Sequence, residues 1–342
     1  MRVQRIPEPI LVTGATGFIG RALVARLLSE GYRPRAFVLP GDAVPIEWGD
    51  QVEIHSGDVA HRSGVAKALD GVGTAFHLAA FVGDWGRPAD HERVTVRGTE
   101  NVLSDAAKRN VRCILASSIV VYGDRIGRDV CDEDHTFGHP LGPYSRSKQA
   151  QERIAHRLEE TQSLQVTIVR PANVYGPGSV PWVDKAAEAL RSGLPSLIGD
   201  GRLDAGLTYV DNVVDVMVRA AERPATVGRV YNASDENGVT WLRYFTELAE
   251  LVGAPPPKKL NRRLATVAAT GLDGTWRLLR RRDRPPLTRE ALNLVGSNHR
   301  IPIAKARNEL GYEPRVSYKQ GMVEVARYIE QSGLSARGEE SA

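Results

Sequence analysis

The sequence predicts an α/β fold in which a doubly wound parallel sheet carries a smaller, mostly C-terminal lobe. In the first half of the chain, short β-branched runs alternate with segments of helical periodicity. Several of these runs are apolar on both faces, which is typical of parallel strands covered by helices on each side. The predicted strands are residues 10–13, 35–39, 52–55, 74–78, 112–117, 166–169 and 228–232. The predicted helices include residues 21–30, 98–110, 144–160 and 183–192.

The composition is that of an ordinary globular protein. Of the 342 residues, 42% are hydrophobic and 25% are charged, which argues against a disordered chain. The formal net charge of +4 is small for this length, and the sequence contains no motif that reads DNA or RNA. We therefore expect no nucleic-acid partner.

The two cysteines, Cys113 and Cys131, lack metal-ligand spacing and a Cys-x-x-Cys partner. We expect two reduced thiols and no metal site. The N-terminus has no apolar signal-peptide core, and no run approaches the roughly 18 apolar residues that a membrane span needs. These features favour a cytoplasmic protein.

A glycine-rich turn follows the first predicted strand and opens the first helix. It reads Thr13-Gly14-Ala15-Thr16-Gly17-Phe18-Ile19-Gly20. In such turns one glycine makes the bend, one lets the backbone approach a pyrophosphate, and one lets the helix pack on the strand. The helix N-terminus also presents unsatisfied N–H groups to phosphate. We therefore predict that a dinucleotide cofactor is bound by Gly14, Thr16, Gly17, Phe18 and Ile19.

The end of the second strand bears on the choice between NAD and NADP. An acid there accepts the ribose hydroxyls of NAD, whereas an arginine pairs with the 2′-phosphate of NADP. This chain reads Leu39-Pro40-Gly41-Asp42. Asp42 is either a displaced ribose acceptor or a turn residue, and the sequence leaves both interpretations open. Because no basic group is present in this stretch, NAD is favoured over NADP.

The third strand is followed by Gly57-Asp58-Val59. This stretch resembles the segment that holds adenine through the Asp58 side chain and the Val59 backbone. The alternative is that Asp58 is only a turn acid.

Three polar residues indicate acid–base chemistry. Tyr144 and Lys148 are four residues apart, so on a helix they lie on one face, one turn apart. A free tyrosine has a pKa of about 10, which a neighbouring cation lowers towards the working range. Ser118 ends the fifth parallel strand, where it can hydrogen-bond the reacting oxygen. Its neighbour Ser117 is the competitor, but strand alternation sends the two side chains to opposite faces.

Taken together, the motifs resemble those of the extended short-chain dehydrogenases/reductases, the superfamily that includes NAD-dependent epimerases and dehydratases. The similarity runs from about residue 10 to residue 329. The C-terminal half is most similar to 3β-hydroxysteroid dehydrogenase-like and dihydroflavonol reductase-like members. The motifs follow in the family's order: 13–20, 77–80, Ser118, Tyr144 with Lys148, 170–177 and 209–212.

The resemblance implies roles for these residues. Tyr144 would be the acid/base of hydride transfer, Lys148 would hold the cofactor ribose and lower the tyrosine pKa, and Ser118 would polarise the substrate oxygen. Asn173 would face the substrate. The residues implied beside the cofactor are Leu78, Ala79, Ala80, Pro171 and Ala172. Family habit also implies a homodimer packed through helices 98–110 and 144–160.

Two departures from the family pattern bear on the chemistry. Thr95 stands where many members have an asparagine, so a polar support near the site has changed. Dehydratases follow the catalytic hydroxyl residue with an Asp-Glu pair, whereas this chain has Ile119-Val120. Sugar dehydration is therefore not expected.

The chain divides into two predicted units. Residues 1–176 and 206–236 form the dinucleotide-binding Rossmann domain, and residues 177–205 and 237–331 form the substrate-binding lobe. Residues 332–342 are small and polar and are predicted to be a disordered tail.

The substrate is predicted to be a lipophilic secondary alcohol or ketone, sterol-like or of another apolar class. Nucleotide-sugar enzymes of the family place an arginine on the diphosphate, and that position here holds Ala205. A buried diphosphate without a cation is costly, although Arg202 could substitute. Trp182 and Leu207 are candidate substrate contacts that could equally be core residues.

Residues 260–284 are moderately apolar and run into Arg280-Arg281-Arg282. This segment is either a basic amphipathic element that makes peripheral contact with an anionic membrane, or a lid helix with a solvated basic end.

Two other functions remain alternatives. One is a nucleotide-sugar epimerase, and the other is a non-catalytic protein that senses nicotinamide on the same fold. The complete Ser118, Tyr144 and Lys148 set argues against a sensor, which needs no acid/base.

Overall fold

The structure is a computed structural model that describes residues 3–334. Seven parallel strands form its central sheet, and four further short strands pair with one another outside that sheet. The strands are β1 (Ile10–Thr13), β2 (Arg35–Val38), β3 (Glu53–Ser56), β4 (Thr74–His77), β5 (Arg112–Ala116), β6 (Val166–Pro171), β7 (Asn173–Tyr175), β8 (Pro195–Ile198), β9 (Leu207–Tyr209), β10 (Val230–Ala233) and β11 (Lys258–Leu260). The helices are α1 (Phe18–Ser29), α2 (Arg62–Ala68), α3 (Pro88–His91), α4 (Gly98–Lys108), α5 (Pro143–Gln162), α6 (Lys185–Arg191), α7 (Val210–Ala221), α8 (Trp241–Leu251), α9 (Arg262–Leu278), α10 (Arg289–Val295) and α11 (Tyr318–Gln331).

The order of the strands places a crevice at the centre of the sheet. The order is β10-β6-β5-β4-β1-β2-β3, and all neighbouring strands are parallel. From β1 the chain builds the sheet in one direction through β2 and β3, and it then crosses to the other side of β1 and continues through β4, β5, β6 and β10. β1 and β4 therefore flank the switch point where ligands bind in such sheets. The doubly wound α/β fold predicted from the sequence is confirmed.

Helices bury both faces of this sheet. On one face, Leu23 and Leu27 of α1 pack with Val213 and Met217 of α7. On the other face, a second cluster contains buried apolar residues of α2, α4 and α5. Strands enclosed on both sides need apolar residues at every position, which explains the continuous apolar runs in the sequence.

The smaller lobe has its own core and its own short strands. β7 pairs with β9, and β8 pairs with β11, each pair in parallel. The core contains Trp241 and Tyr244 of α8 together with Leu197 of β8. Residues 303–312, which lie between α10 and α11, return to the core of the large domain. The sequence patterns assigned this stretch to the lobe.

Two sequence-based expectations concern the ends of the chain and membranes. The predicted disordered tail, 332–342, lies outside the described residues from position 335 onward. Within residues 3–334, no helix is long and apolar enough to span a bilayer.

Gly20 allows the first turn of α1 to pack closely against the turn that precedes it. A Cβ atom at this position would lie 2.1 Å from the carbonyl oxygen of Gly14 and 2.8 Å from the Ala15 backbone. Both neighbours are main-chain atoms, which cannot move aside without displacing the glycine turn. Gly20 therefore fixes the distance between the turn and the helix.

Replacing Gly20 with alanine should lower the free energy of unfolding by about 3 kcal/mol, because the new methyl group overlaps the main chain. The matched control is Gly271→Ala in α9, where a Cβ would have no neighbour within 4 Å. That change should stabilise by up to about 1 kcal/mol through helix propensity. Urea denaturation of both variants measures the difference, and equal stability of the two would contradict this account.

Candidate active site

The glycine turn lies at the carboxyl end of β1, directly beside the end of β4. Gly14 has a φ of +67°, and a Cβ there would lie 2.8 Å from the backbone nitrogen of Ala79. The same Ala79 N–H donates to the Thr13 hydroxyl at 3.2 Å. The turn is thus pressed against the next strand, and Gly17 follows as an exposed N-cap of α1.

This arrangement fits a pyrophosphate. The first turn of α1 begins at Phe18 and Ile19 and carries no acidic residue that would oppose an anion. Its N–H groups have no side-chain cap at Gly17, and the helix dipole favours negative charge there. Leu78, Ala79 and Ala80 leave β4 beside this turn and are each half-buried.

Asp42 reaches the glycine turn from the end of β2. Its carboxylate accepts a hydrogen bond from the Thr16 hydroxyl at 2.7 Å. Arg21 donates to the Thr16 carbonyl from the other side at 2.9 Å. The structure therefore brings together Asp42 and the turn, which the sequence could only suggest.

Asp58 and Val59 follow the end of β3, as predicted from the sequence. In this structure their polar groups make hydrogen bonds within the protein. The Asp58 carboxylate accepts the Ala60 N–H at 2.8 Å and pairs with Arg93 at 2.6 Å. The Val59 carbonyl accepts the amide of Asn101 at 2.9 Å.

His77 ties three elements together beneath the turn. Its Nδ1 lies 2.7 Å from the Thr13 hydroxyl of β1, and its Nε2 lies 3.1 Å from the Thr99 hydroxyl of α4. Burial and the Lys148 charge lower its pKa to about 3, so the ring is neutral. His77 therefore supports the backbone here through two hydroxyl contacts.

Thr95 supports the loop after β4. It is fully buried, and its hydroxyl accepts the N–H of Phe81 at 3.0 Å. The residue that departs from the family pattern thus still supplies a polar contact near the site.

The two serines at the end of β5 point in different directions. Ser117 is buried and donates to the carboxylate of Glu152. Ser118 is half-buried, and its oxygen accepts the N–H of Val120 at 3.3 Å as the N-cap of the following 3-10 turn. Ser117 is committed to the interior, so Ser118 is the serine placed at the site.

Tyr144 and Lys148 lie in the first two turns of α5. The Lys148 ammonium lies 5.9 Å from the centroid of the Tyr144 ring. It donates to the Ala116 carbonyl at 2.7 Å and to the Gln151 side chain at 2.9 Å. Burial lowers the pKa of Lys148 to about 7, although the nearby Glu152 carboxylate opposes this shift.

The pKa of Tyr144 differs from the sequence-based expectation. Burial raises it above its usual value, the charge of Glu290 raises it further, and the Ser118 hydroxyl acts in the opposite direction. Lys148 is not among the groups that shift this pKa, and its ammonium donates to the Ala116 carbonyl and to the Gln151 side chain. In this structure the phenol is held in its protonated form.

Glu290 is a polar residue at the site that sequence reasoning missed. It lies in α10 and is buried, and its Oε1 accepts the backbone N–H of Ser145 in the first turn of α5 at 2.8 Å. Its Oε2 has no hydrogen-bond partner within residues 3–334. Burial raises its pKa to about 7, and the Asp84 charge adds to the rise. An acid in a first helical turn is common, so nothing local in the sequence distinguished it.

Asp84 joins the loop after β4 to the segment that carries Glu290. Its carboxylate accepts hydrogen bonds from Arg284 at 2.7 Å and from the Thr288 hydroxyl at 2.5 Å. Thr288 is in turn the N-cap of α10. The lobe therefore contacts the large domain through a charged cluster next to Tyr144.

The predicted nicotinamide and substrate neighbours after β6 are mostly buried. Pro171 ends β6, and the N–H of Ala172 donates to the Ala233 carbonyl at 2.9 Å. The side-chain amide of Asn173 donates to the Ala205 carbonyl at 2.7 Å.

The two predicted apolar substrate contacts differ in their burial. Trp182 is half-buried, with its ring 5.1 Å from that of Trp241. Leu207 is fully buried in the core of the lobe. Its assignment as a substrate contact stays a prediction, and in this structure its side chain packs in the core of the lobe and exposes no surface.

The free energy of unfolding should depend on pH through Glu290. Its pKa is raised from 4.5 to about 7 in the folded state, so between these values the unfolded chain binds fewer protons. The contribution of Glu290 to the free energy of unfolding is therefore fully present below pH 4.5, the pKa in the unfolded chain. It is lost as the pH rises through about 7, the pKa in the folded state. From about pH 5 to about pH 8, the wild type should lose about 2 kcal/mol relative to Glu290→Gln.

Urea denaturation at several pH values measures this slope. The control is Glu47→Gln, which changes an exposed carboxylate and should leave the wild-type slope in place. Parallel slopes for the wild type and Glu290→Gln would show that Glu290 does not titrate as described.

Comparisons with known proteins agree with this geometry. Residues 10–234 match the NAD dependent epimerase/dehydratase family. A 2-alkyl-3-oxoalkanoate reductase of Stenotrophomonas maltophilia is 29% identical over 323 residues, which cover 92% of this chain and 97% of the relative. A 3-beta-hydroxysteroid dehydrogenase of Mycolicibacterium neoaurum is 27% identical over 340 residues, covering 93% and 90%.

A solved structure extends the similarity to the fold. The crystal structure of gox2253 superposes with a TM-score of 0.79 at 27% identity, covering 95% of this chain and 99% of that one. The resemblance inferred from the sequence motifs is confirmed. The chain therefore belongs to the NAD dependent epimerase/dehydratase family and is a nicotinamide-dependent oxidoreductase of the extended short-chain dehydrogenase type.

Proposed function

We propose that this protein interconverts a ketone and a secondary alcohol on a lipophilic substrate. The observation that carries the proposal is the convergence of Ser118, Tyr144 and Lys148 where β5 ends and α5 begins. These side chains supply one oxygen-binding hydroxyl, one proton donor and one cation around a single position.

The residues divide the work of reduction between them. When bound, the nicotinamide supplies the hydride that adds to the carbonyl carbon. The Tyr144 hydroxyl donates its proton to the carbonyl oxygen, and Ser118 donates a hydrogen bond to the same oxygen. The phenolate left on Tyr144 then regains a proton from solvent, and the Lys148 ammonium lies 5.9 Å from the centroid of its ring.

The protonation state of Tyr144 fits the donor role in reduction. Burial and Glu290 keep its pKa above the usual value, so the phenol is protonated at neutral pH, as an unperturbed tyrosine is. The same group accepts the proton when an alcohol is oxidised, so the observation supports an acid/base role for Tyr144 in either direction.

The substrate side of the proposal rests on two observations. The relatives described above are named for a 2-alkyl-3-oxoalkanoate and a 3β-hydroxysteroid, which both join a ketone or alcohol to a lipophilic skeleton. At the position of the diphosphate-binding arginine, Ala205 is fully buried, and the Arg202 side chain is 79% exposed beside Asp200. Neither residue offers a buried cation to a nucleotide sugar, so epimerisation is the weaker candidate.

Replacing Tyr144 with phenylalanine should lower kcat/KM for ketone reduction by about a thousandfold, because the proton donor is lost while the ring stays in place. Binding of the reduced cofactor, followed by fluorescence titration, should change little. The assay follows nicotinamide absorbance with a 2-alkyl-3-oxo acid, a 3-keto steroid and UDP-glucose as substrates. The control is Tyr328→Phe, whose hydroxyl contacts Asp184 in the lobe.

The outcomes separate the three candidate functions. Net oxidation of the cofactor by an apolar ketone, lost in Tyr144→Phe and kept in Tyr328→Phe, supports the proposal. Conversion of UDP-glucose to its epimer without net redox change would replace it with the epimerase. Cofactor binding with no turnover of any ketone or sugar by the wild type would indicate a sensor.

The cofactor is proposed to be NAD. The Asp42 carboxylate follows β2, where the ribose of the cofactor is expected, and lies 2.7 Å from the Thr16 hydroxyl of the glycine turn. A 2′-phosphate there would meet like charge, whereas ribose hydroxyls would find an acceptor. Arg21 is on the same turn but donates to the Thr16 carbonyl.

The ratio of kcat/KM with NADH to that with NADPH tests this assignment. The wild type should prefer NADH, and Asp42→Ala should lower the ratio by about tenfold, since removal of the charge admits the phosphate. Asp50→Ala, in an exposed position nearby in sequence, serves as the control. A wild-type preference for NADPH, or an unchanged ratio in Asp42→Ala, would show that Asp42 is only a turn residue.

A further inference from the structure

Helix α9 exposes an apolar face to solvent. Leu264 is 64% exposed, Val267 is 72% exposed and Leu278 is 83% exposed. Leu264 and Val267 are three residues apart, and Leu278 follows Val267 after eleven residues, close to three full turns of a helix. The three side chains therefore lie on the same side of α9, with Gly271 and Thr275 between Val267 and Leu278. Leu279, which follows the helix, is 61% exposed and extends the stripe. We call Leu264, Val267, Leu278 and Leu279 the α9 stripe.

Specific contacts fix the orientation of α9. Ala265, Ala269 and Asp273 face the protein and are buried. The guanidinium of Arg277 lies 5.3 Å from the centroid of the Trp85 ring, and Arg262 donates to the Gly296 carbonyl. These contacts seat the opposite side of the helix, so the α9 stripe faces outward as a consequence of packing.

Basic residues surround the stripe. Residues 258–284 contain nine basic residues and two acidic ones. Of the two acids, Asp273 is buried and Asp283 pairs with Arg281 at 2.9 Å. Arg280 and Arg282 are exposed, and across residues 3–334 neither has an acidic group within 4 Å. The surface around the stripe is therefore strongly positive.

We propose that the α9 stripe and the flanking arginines dock on an anionic lipid bilayer. The apolar side chains would enter the boundary between headgroups and acyl chains, while the basic residues would pair with anionic headgroups. An amphipathic helix lying in the plane of the surface needs both features, and α9 presents them on its solvent side. This docking is independent of the reaction assigned above.

Charge argues for a bilayer over a second copy of the chain as the occupant. A two-fold contact through α9 would bring the same basic cluster against itself, since such an interface uses one surface twice. Like charges at that distance oppose association. An anionic surface offers the opposite charge and an apolar phase together.

The location of α9 links this surface to the catalytic helix. Thr270, Gly274 and Arg277 of α9 line a cavity of about 280 Å³ together with Leu141 and Gly142, which directly precede α5. A bilayer against α9 would thus lie beside the chain segment that leads into Tyr144. A lipophilic substrate could then reach the enzyme from the lipid phase.

Vesicle co-sedimentation of the full chain tests the proposal. Vesicles of phosphatidylcholine with about 30% phosphatidylglycerol should bind the protein at least about tenfold more strongly than phosphatidylcholine alone. Raising salt from about 0.1 M to about 0.5 M should weaken the binding. Pure phosphatidylcholine binding as strongly as the anionic mixture, or no binding to either, would overturn the proposal.

Two sets of variants separate the apolar and the charged contributions. The triple variants Leu264→Gln/Val267→Gln/Leu278→Gln and Arg280→Gln/Arg281→Gln/Arg282→Gln should each lower the partition coefficient by about tenfold or more. The matched control is Ile46→Gln/Val323→Gln, which changes side chains 94% and 45% exposed on other surfaces and should bind as the wild type does. All altered side chains are exposed, and thermal unfolding checks that each variant is folded.

Light scattering of the same variants addresses self-association. If the apolar triple variant turned an oligomer into a monomer while vesicle binding stayed unchanged, the α9 stripe would be an interface between copies and the proposal would be wrong. If vesicle binding fell and the oligomeric state stayed the same, the bilayer would be the occupant.

Discussion

The buried ion pair between Glu152 and Arg170 fixes the position of α5, the helix that carries Tyr144 and Lys148. The Arg170 guanidinium lies 2.7 Å from the Glu152 carboxylate, and the two side chains are 4% and 0% exposed. Ser117 donates to the same carboxylate, and Arg170 also donates to Tyr122. Breaking such a pair leaves an uncompensated charge in the interior, so it tolerates very little displacement. It holds α5 in a fixed position on β5 and β6.

The four-residue spacing along α5 places Tyr144 and Lys148 relative to the Glu152–Arg170 pair. Tyr144, Lys148 and Glu152 are four residues apart in succession and therefore share one face of the helix. Glu152 is fixed from β6, Lys148 is held by the Ala116 carbonyl of β5, and the first turn is held from the lobe through Glu290. Tyr144 is thus positioned from both domains.

Local patterns in the sequence predicted most of the sheet and indicated Ser118, Tyr144 and Lys148 as the candidate catalytic residues. β-Branched runs located the central strands, and alternation along β5 distinguished Ser118 from Ser117. The patterns could not reveal Glu290, because its effect depends on burial against a helix that begins 147 positions earlier in the chain. Nor could they give the direction of the Tyr144 pKa shift, which is set first by burial and then by the charge of Glu290. β7, β9 and β11 span three residues each, which is too few to carry a periodicity, and β8 begins with a proline, a residue typical of loops.

The return of the chain to the large domain at Ile303 and Tyr312 has a consequence for biosynthesis. These residues fill the core against β10, and Glu290 of the lobe caps α5, yet all of them are translated after the glycine turn, Ser118, Tyr144 and Lys148. Ser118, Tyr144 and Lys148 are therefore synthesised before Glu290 and before the residues that complete the core of the large domain. A nascent chain that ends before position 290 lacks the carboxylate that accepts the Ser145 N–H, so the first turn of α5 gains this contact only after α10 has been made.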